Sequence, residues 1–175
     1  MIGLQWKTTS SHSLREFGWK SIMRYFITPA QKRHQDVGTK CWRLCGFDVA
    51  NHFHLFWECP KIRLYWQDIH KCLETIFRIP ISFDVKTLFL GTIEGFIQTT
   101  ADKYLMRIFL IAGKKALTRK WLQPNAPSKD DWFEIIHEIY IMERLTFSIK
   151  MQSEKCKGFW SKWVKFIGSQ RPDLI

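Results

Sequence analysis

Three cysteines and a histidine in one short stretch of the chain have the side-chain types and spacing of a metal site. Cys41, Cys45, His54 and Cys59 form the pattern C-x3-C-x8-H-x4-C. Cysteine thiolates and histidine nitrogens usually hold zinc in a tetrahedron, and a close cysteine pair can grip the ion from one turn. The spacing therefore predicts one structural Zn²⁺. His52 is an alternative fourth ligand, because spacing alone does not separate it from His54.

The neighbouring residues and the other cysteines bear on this prediction. Gly46 suits a tight turn with dihedral angles that other residues avoid. The segment of residues 41–60, called the knuckle below, is too short to bury a core of its own, so metal binding would supply its folding energy. Alternatively, the cysteines are buried and free, since cysteine is common in cores. By its place on an apolar stripe, Cys72 is expected in the core, whereas Cys156 is expected at the surface.

Cysteine usage also indicates the compartment. The chain has five cysteines, an odd number, and no apolar secretory signal opens it. A reducing compartment with metal-bound thiolates therefore fits better than a disulfide scaffold. We expect an intracellular protein, in the nucleus, the cytoplasm or both. The longest apolar run, "YLMRIFLIAG", is broken by Arg107 and is too short to span a bilayer, so no membrane partner is expected.

Helical periodicity predicts the elements that must position the knuckle. Ser13 and Glu16 have capping-box spacing, and Thr100 and Ser128 can cap two further helices. A short helix can also begin at Pro29, behind Thr28. Apolar residues recur at helical intervals in five segments, which are residues 14–27, 60–78, 100–121, 128–151 and 153–167. Gly168 is expected to end the last of them.

The remaining segments complete the predicted architecture. The stretch "IPISFDVKTLFLG" reads either as a short strand or as an extended link. Residues 123–128, "QPNAPS", have the composition of a linker. The sequence predicts a single all-α helical domain over residues 1–175, with one small loop-rich zinc knuckle at residues 41–60.

The charge of the chain favours a polyanionic partner. Lys and Arg number 27 against 16 acidic residues, a net charge of +11, which favours nucleic acid before an anionic membrane. Lys115 and Arg119 lie at i and i+4 on one predicted helix face. The candidate phosphate contacts gather there and beside the knuckle, and they are Lys32, Arg33, Lys40, Arg43, Lys114, Lys115, Arg119 and Lys120. The alternative for each lysine is an ordinary solvated surface group.

Aromatic residues interleave with the metal ligands. Trp42 and Trp57 flank ligands and could stack on bases. We prefer packing for Trp57, Phe53 and Phe56, because stacking platforms need exposed rings and a small fold needs core. Packing is also expected for Trp160 and Trp163, which lie at i and i+3 in the last helix.

Several motifs occur in an order that resembles a known family. The chain contains, in this order, "IMRYFITP", "CWRLCG", "ANHFHLFWECPKI", "IPISFDVKTLFLG", "KKALTRKWL" and "MERLT". The order is similar to the C-terminal segment of the reverse-transcriptase protein of non-LTR retrotransposons, of the long-interspersed-element kind found in vertebrates, especially fish. The resemblance extends from about Leu14 to the end of the chain. The knuckle and "TRKWL" are its most specific parts.

The resemblance implies a function and a ligand set. The family's Cys-Cys-His-Cys motif ends in H-x4-C, which maps onto His54 and Cys59 and so favours His54 over His52. The family segment follows the polymerase domain, and the resemblance implies that it binds element RNA or target DNA during target-primed reverse transcription. A paired-aspartate polymerase motif is missing from the sequence, and the adjacent Asp130 and Asp131 fit a helix start. We therefore expect that the chain is not an enzyme and that it has no small-molecule substrate.

Two other interpretations stay open. The chain can be an interaction module that docks on a reverse-transcriptase domain, with a purely structural metal. It can also be a relic reading frame without a cellular function. Binding of RNA by the isolated chain would separate the nucleic-acid interpretation from the interaction module.

Overall fold

Helices form the regular structure of this protein in a computed structural model that describes residues 11–32 and 38–174. No β-strand occurs within these ranges, so the predicted all-α class is confirmed. The α-helices are α1 (His12–Ile22), α2 (Pro60–Phe77), α3 (Val85–Leu88), α4 (Thr100–Arg119), α5 (Lys129–Ile149) and α6 (Ser153–Gln170). Short 3₁₀ turns cover Pro29–Lys32 and Pro172–Leu174, and Pro29–Lys32 is the short helix expected behind Thr28.

The ends of the helices differ from the predictions by up to five residues, and the largest difference is in α1, which was predicted to reach residue 27 and ends at Ile22. Ser11, not Ser13, caps α1, because Ser11 has extended dihedrals and its side chain accepts from the Leu14 N–H at 3.3 Å. The Thr99 hydroxyl caps α4 in the same manner, one residue before the expected Thr100. The capping box of Ser128 and Asp131 is confirmed, with both reciprocal bonds present. Gly168 does not end α6, which continues to Gln170.

Tryptophan side chains form much of the core among α2, α4, α5 and α6. The four fully buried ones are Trp66, Trp132, Trp160 and Trp163. The Trp132 indole N–H donates to the Phe109 carbonyl at 2.9 Å, and that of Trp160 donates to the buried Glu143 carboxylate at 3.0 Å. Such a partner replaces the bond to water that a buried indole N–H loses, and of these four side chains Trp163 is the one whose indole has no partner among the described residues. The expected packing of Trp160 and Trp163 is confirmed. Cys156 is buried, contrary to the surface position expected from the sequence.

A glycine lets α2 and α4 approach closely. A Cβ added at Gly113 would meet the Trp66 ring at 3.1 Å and Ile69 at 3.2 Å. The Tyr65 hydroxyl donates to the Gly113 carbonyl at 3.0 Å. This contact holds α2 against the core. The knuckle ends at the first turn of α2, directly after Cys59.

The segments between helices connect neighbours that pack together. Residues 123–128 connect α4 to α5, which are in contact along their lengths. The stretch "IPISFDVKTLFLG" forms neither of the two expected structures throughout, since it contains the one-turn helix α3 capped by Asp84.

Within the described ranges, every helix is too short or too polar to cross a membrane.

Candidate metal centre

The first two cysteines lie in a closed loop before α2. The Cys41 N–H donates to the Phe47 carbonyl at 2.9 Å, and the Ala50 N–H donates to the Thr39 carbonyl at 3.0 Å. At the tip, Gly46 has φ +86°, as its place after the second cysteine predicted. Leu44 also has a positive φ, of 53°, which a side chain with a Cβ adopts at a cost. The chain thus turns at Leu44, within the three-residue spacing, and again at Gly46, just after the second cysteine.

The other two candidate ligands flank a π-helical turn, His54–Glu58, that leads into α2. The Asn51 side chain accepts from the His54 N–H at 2.9 Å, and the Cys59 N–H donates to the His54 carbonyl at 2.9 Å. This second half of the knuckle was expected to be loop, and short π-helical turns often occur at functional sites. Cys59 immediately precedes Pro60 and is the N-cap residue of α2.

These turns bring the four predicted ligands together. The ligand atoms of Cys41, Cys45, His54 and Cys59 all lie within 4.8 Å of one another. The Cys45 sulfur is 3.3 Å from Nε2 of His54. Two ligands on a tetrahedral zinc with bonds of about 2.3 Å lie about 3.8 Å apart, so the cluster fits an ion of this kind. The four residues could therefore hold a metal ion.

His52 does not belong to this cluster. Its ring packs on Phe56 with centroids 4.5 Å apart, and it lies edge-on to Phe89. Burial, together with nearby Arg24, lowers the pKa of His52 to about 4, which keeps the imidazole neutral. Of the two histidines between which spacing alone did not choose, it is His54 whose ring lies in the cluster that could hold a metal ion.

The thiols of the cluster interact strongly in the metal-free protein. Burial raises the pKa of Cys41 to about 12, and its neighbours Cys45 and Cys59 add to the rise. At Cys45, burial opposes ionisation, but the Phe47 backbone bond and the two other thiols hold the pKa below its ordinary value. Crowded thiols release their protons one at a time, because each thiolate repels the next one that forms. A cation that replaces the protons offsets the repulsion between the thiolates.

Aromatic rings surround the histidine ligand. Phe47 stacks on His54, with ring centroids 4.2 Å apart and planes 12° apart. Burial lowers the pKa of His54, and Nδ1 of its ring is buried without a hydrogen-bond partner among the described residues. Phe47 and Phe53 themselves remain 44% and 43% exposed, and Leu44 is 78% exposed. Packing was expected for Phe53, so its exposure is a difference from the sequence prediction.

Aromatic packing attaches the knuckle to the helical core. The Trp57 and Phe56 side chains are buried, which confirms their expected packing role. Phe56 contacts the Trp121 ring at the end of α4, with centroids 4.9 Å apart. Trp42 lies edge-on to the same ring at 6.1 Å. The Trp66 indole donates to the Phe56 carbonyl at 2.8 Å, so the π-helical turn is bonded directly to α2.

The predicted phosphate-binding residues have different surroundings. Lys40 is exposed beside the knuckle, and Lys32 lies over the Trp42 ring at 5.9 Å. Lys115 is half-buried within electrostatic reach of Glu138. Arg33 lies outside the described residues.

Two predicted contacts on α4 are engaged in ion pairs. Arg119 forms two hydrogen bonds with Glu138, at 2.6 and 3.2 Å. Lys120 pairs with Asp131 at 2.7 Å. The expected basic face is therefore partly neutralised by α5.

Two other predicted contacts lie in the interior, which is a correction to the surface role expected for them. Lys114 is 0% exposed and donates to the Phe89 carbonyl at 2.9 Å, and burial lowers its pKa to about 8. Arg43 is also 0% exposed, next to the ligand cluster. The reason is tertiary, because the residues that cover both side chains come from other segments of the chain.

Sequence reasoning missed the exposed apolar tip of the knuckle, formed by Leu44, Phe47, Val49 and Phe53. A usable signal was present, since a closed loop of this length cannot turn all of its apolar side chains inward.

In comparison with known protein families, no family model matches the chain.

Proposed function

We propose that the chain is a zinc-stabilised module that binds RNA or target DNA, accessory to a non-LTR retrotransposon reverse transcriptase and without a catalytic site of its own. The observation that carries the proposal is the knuckle, where a buried Cys₃His cluster supports a tip of exposed rings. The order of motifs that resembles the retrotransposon family supports the assignment to that kind of element.

Zinc is the ion that the ligand chemistry favours. Three thiols and an imidazole are soft or borderline donors, and a tetrahedral set of this type is typical of zinc. Four protein ligands leave no open position for a substrate or an activated water. The metal would therefore hold the knuckle in shape, and it would take no part in a reaction.

The exposed rings and nearby lysines supply both parts of a single-strand binding surface. Phe47 and Phe53 have exposed faces on which bases can stack, whatever the base identity. Lys32 and Lys40 precede the ligands, and Lys61 follows them on the exposed face of α2. Ammonium groups in these places can meet the phosphates on either side of a stacked base. This surface replaces the α4 face that the sequence alone favoured.

Binding of a labelled single-stranded RNA to the zinc-loaded full chain tests the proposal. Three phosphate contacts give a slope of log affinity against log salt of roughly −2. Phe53→Ala is expected to weaken binding by about 1–3 kcal/mol, the usual value of one stacked base. Ile149→Ala is the matched control, since it also truncates an exposed apolar side chain but lies at the end of α5. Salt-independent binding, or equal losses in the two variants, would contradict the proposal.

A second candidate function is docking on a protein, and the groove between α5 and α6 favours it. The groove has a volume of about 970 Å³ and an apolar floor that includes Trp160 and Val164. Arg144, Lys157 and Lys165 line it, and its described lining contains no acidic residue. An amphipathic helix with acidic flanks, contributed by the partner reverse-transcriptase domain, matches this combination.

The two functions separate in one binding experiment with peptides. An acidic amphipathic helical peptide should bind the wild-type chain and lose affinity in Leu145→Asp, which introduces a negative charge at an exposed groove residue. Phe53→Ala should leave peptide binding unchanged. If single-stranded RNA competes with the peptide and Leu145→Asp weakens both, the groove is a nucleic-acid surface and the docking candidate fails.

A further inference from the structure

Arg43, between the first two cysteines, is the least expected side chain of the knuckle. It is 0% exposed, and none of its three guanidinium nitrogens has a hydrogen-bond partner among the described residues. Arginine is almost never buried without a partner, because its charge and its five N–H donors lose their bonds to water. A buried polar group of this kind calls for an explanation, and a bound ion nearby is one of the usual ones.

Arg43 lies beside groups that can carry a negative charge, which are the thiols of the ligand cluster. The guanidinium lies within hydrogen-bonding reach of the Cys41 side chain, although without the geometry of a hydrogen bond, and it interacts electrostatically with Cys59, Cys45 and His54, so it faces the whole ligand cluster. Its other neighbour is the Trp121 ring, whose centroid is 6.0 Å away, at the limit of a cation–π contact. Stacking on Trp121 uses none of the N–H donors, so it does not account for the burial.

Charge balance connects these observations. A divalent ion with three thiolates and one neutral imidazole carries one net negative charge, and such a charge is costly inside a protein unless it is paired. We infer that Arg43 is the counter-charge of the metal centre, and that its N–H groups donate to the metal-bound sulfurs. The loaded knuckle is then electrically neutral, with the donors of Arg43 satisfied. The inference rests on the metal binding in the proposed function, but it does not depend on nucleic-acid binding.

This role makes the contribution of Arg43 depend on the metal. In the metal-free protein with protonated thiols, the guanidinium is a buried charge without an anion, and it destabilises the knuckle. In the loaded protein the same group stabilises the ion. A residue that only packs against Trp121 would contribute equally in both states.

The test uses the full chain and compares Arg43→Met and Arg43→Lys with the wild type. Zinc affinity is measured by competition with a chromophoric chelator, and cobalt absorption reports whether the ligands remain tetrahedral. We expect Arg43→Met to lose 10–100-fold in zinc affinity, the usual effect of residues that support metal ligands, and Arg43→Lys to lose less. Arg63→Met is the control, since Arg63 stacks over Trp57 at 5.8 Å and is exposed on α2.

Thermal unfolding with and without zinc gives a second readout that a structural role would not move. The rise in Tm on adding zinc should be smaller in Arg43→Met, whereas the metal-free variant should be at least as stable as metal-free wild type. Wild-type zinc affinity in Arg43→Met, or an equal loss of Tm in both states, would overturn the inference while leaving the metal centre intact. A wild-type chain that binds no metal would overturn the metal centre and this inference together.

Discussion

The knuckle and the helical core differ in what stabilises their folded structure. In the core, α2, α4, α5 and α6 bury large side chains such as Trp66 and Trp132 completely, and no ion is needed. In the knuckle, Leu44, Phe47 and Phe53 remain exposed, while the polar Arg43 and His54 are buried. Hydrophobic burial therefore stabilises the core, whereas we expect the knuckle to depend on a metal ion held by its four candidate ligands. Stability in the two regions should respond to different perturbations.

Removal of the metal is expected to have the largest effect, and it should be confined to the knuckle. Structural zinc contributes about 10–16 kcal/mol in small domains that fold around it. Chelation, or Cys59→Ser, should speed amide hydrogen exchange in residues 38–59 by orders of magnitude and leave α4 protected. Exchange followed by mass spectrometry measures both regions at once. Equal protection with and without chelator would remove the contrast between the regions.

Truncation of a core tryptophan should have the converse pattern. Trp132→Ala is expected to lower the free energy of unfolding by about 3–5 kcal/mol, since it leaves a cavity and frees the Phe109 carbonyl. Zinc affinity of the folded variant should stay at the wild-type value. Urea unfolding and a zinc titration measure the two quantities, and a joint loss would mean that the regions fold as one unit.

The buried lysine of α4 predicts a pH dependence that belongs to the core alone. The pKa of Lys114 is about 8 in the folded protein against 10.5 for an ordinary lysine. Between these values the unfolded chain binds the proton and the folded protein does not, so this group makes stability rise with pH from about 8 to about 10.5. Over that window the gain is on the order of 3 kcal/mol.

Lys114→Met isolates this contribution, because the titrations of all other groups cancel in the difference from the wild type. The variant should lack the rise with pH and leave the Phe89 carbonyl without its donor. RNA affinity should not change, as Lys114 is 0% exposed. Denaturant unfolding of both zinc-loaded proteins at several pH values measures the difference. A parallel pH dependence would show that Lys114 keeps its proton at high pH.

The smallest predicted effect is a gain, and it sharpens the contrast at the tip of the knuckle. Leu44 has φ 53° and is 78% exposed, so Leu44→Gly relieves strain and loses little burial. We expect a gain of about 0.5–1 kcal/mol, seen as zinc binding a few-fold tighter. Leu44→Ala is the matched control, because it removes the same side chain and keeps the Cβ. Equal zinc affinity in the two variants would exclude strain as the cause.

Local signals in the sequence were enough for the elements and the ligands. Apolar periodicity located the helices to within a few residues, and the spacing of Cys41, Cys45 and Cys59 identified the ligand cluster. Periodicity worked because a helix that packs on a core must place its apolar residues on one side. The spacing worked because residues this close in sequence can be brought together by a few short turns.

The positions of the charged residues could not be predicted, because they depend on which segments meet. Lys114 and Lys115 are adjacent in sequence, yet only Lys114 lies under the segment that carries Phe89. Arg119 looked available for phosphate until α5 placed Glu138 beside it. The choice between His52 and His54 depended on the π-helical turn, whose i+5 bonding has no signature in the apolar pattern. Long-range contacts thus decided the roles that local patterns could not.

The edge-to-face pair of Trp42 and Trp121 gives the protein an optical reporter of its own. Trp42 belongs to the loop that carries the first two candidate ligands, Trp121 lies just after α4, and their ring centroids are 6.1 Å apart. Two indoles held at this distance and angle couple their electronic transitions, so they add a signal to the near-ultraviolet circular dichroism. The signal should vanish when the loop loosens from the helices. Loading of the knuckle can then be followed without any label.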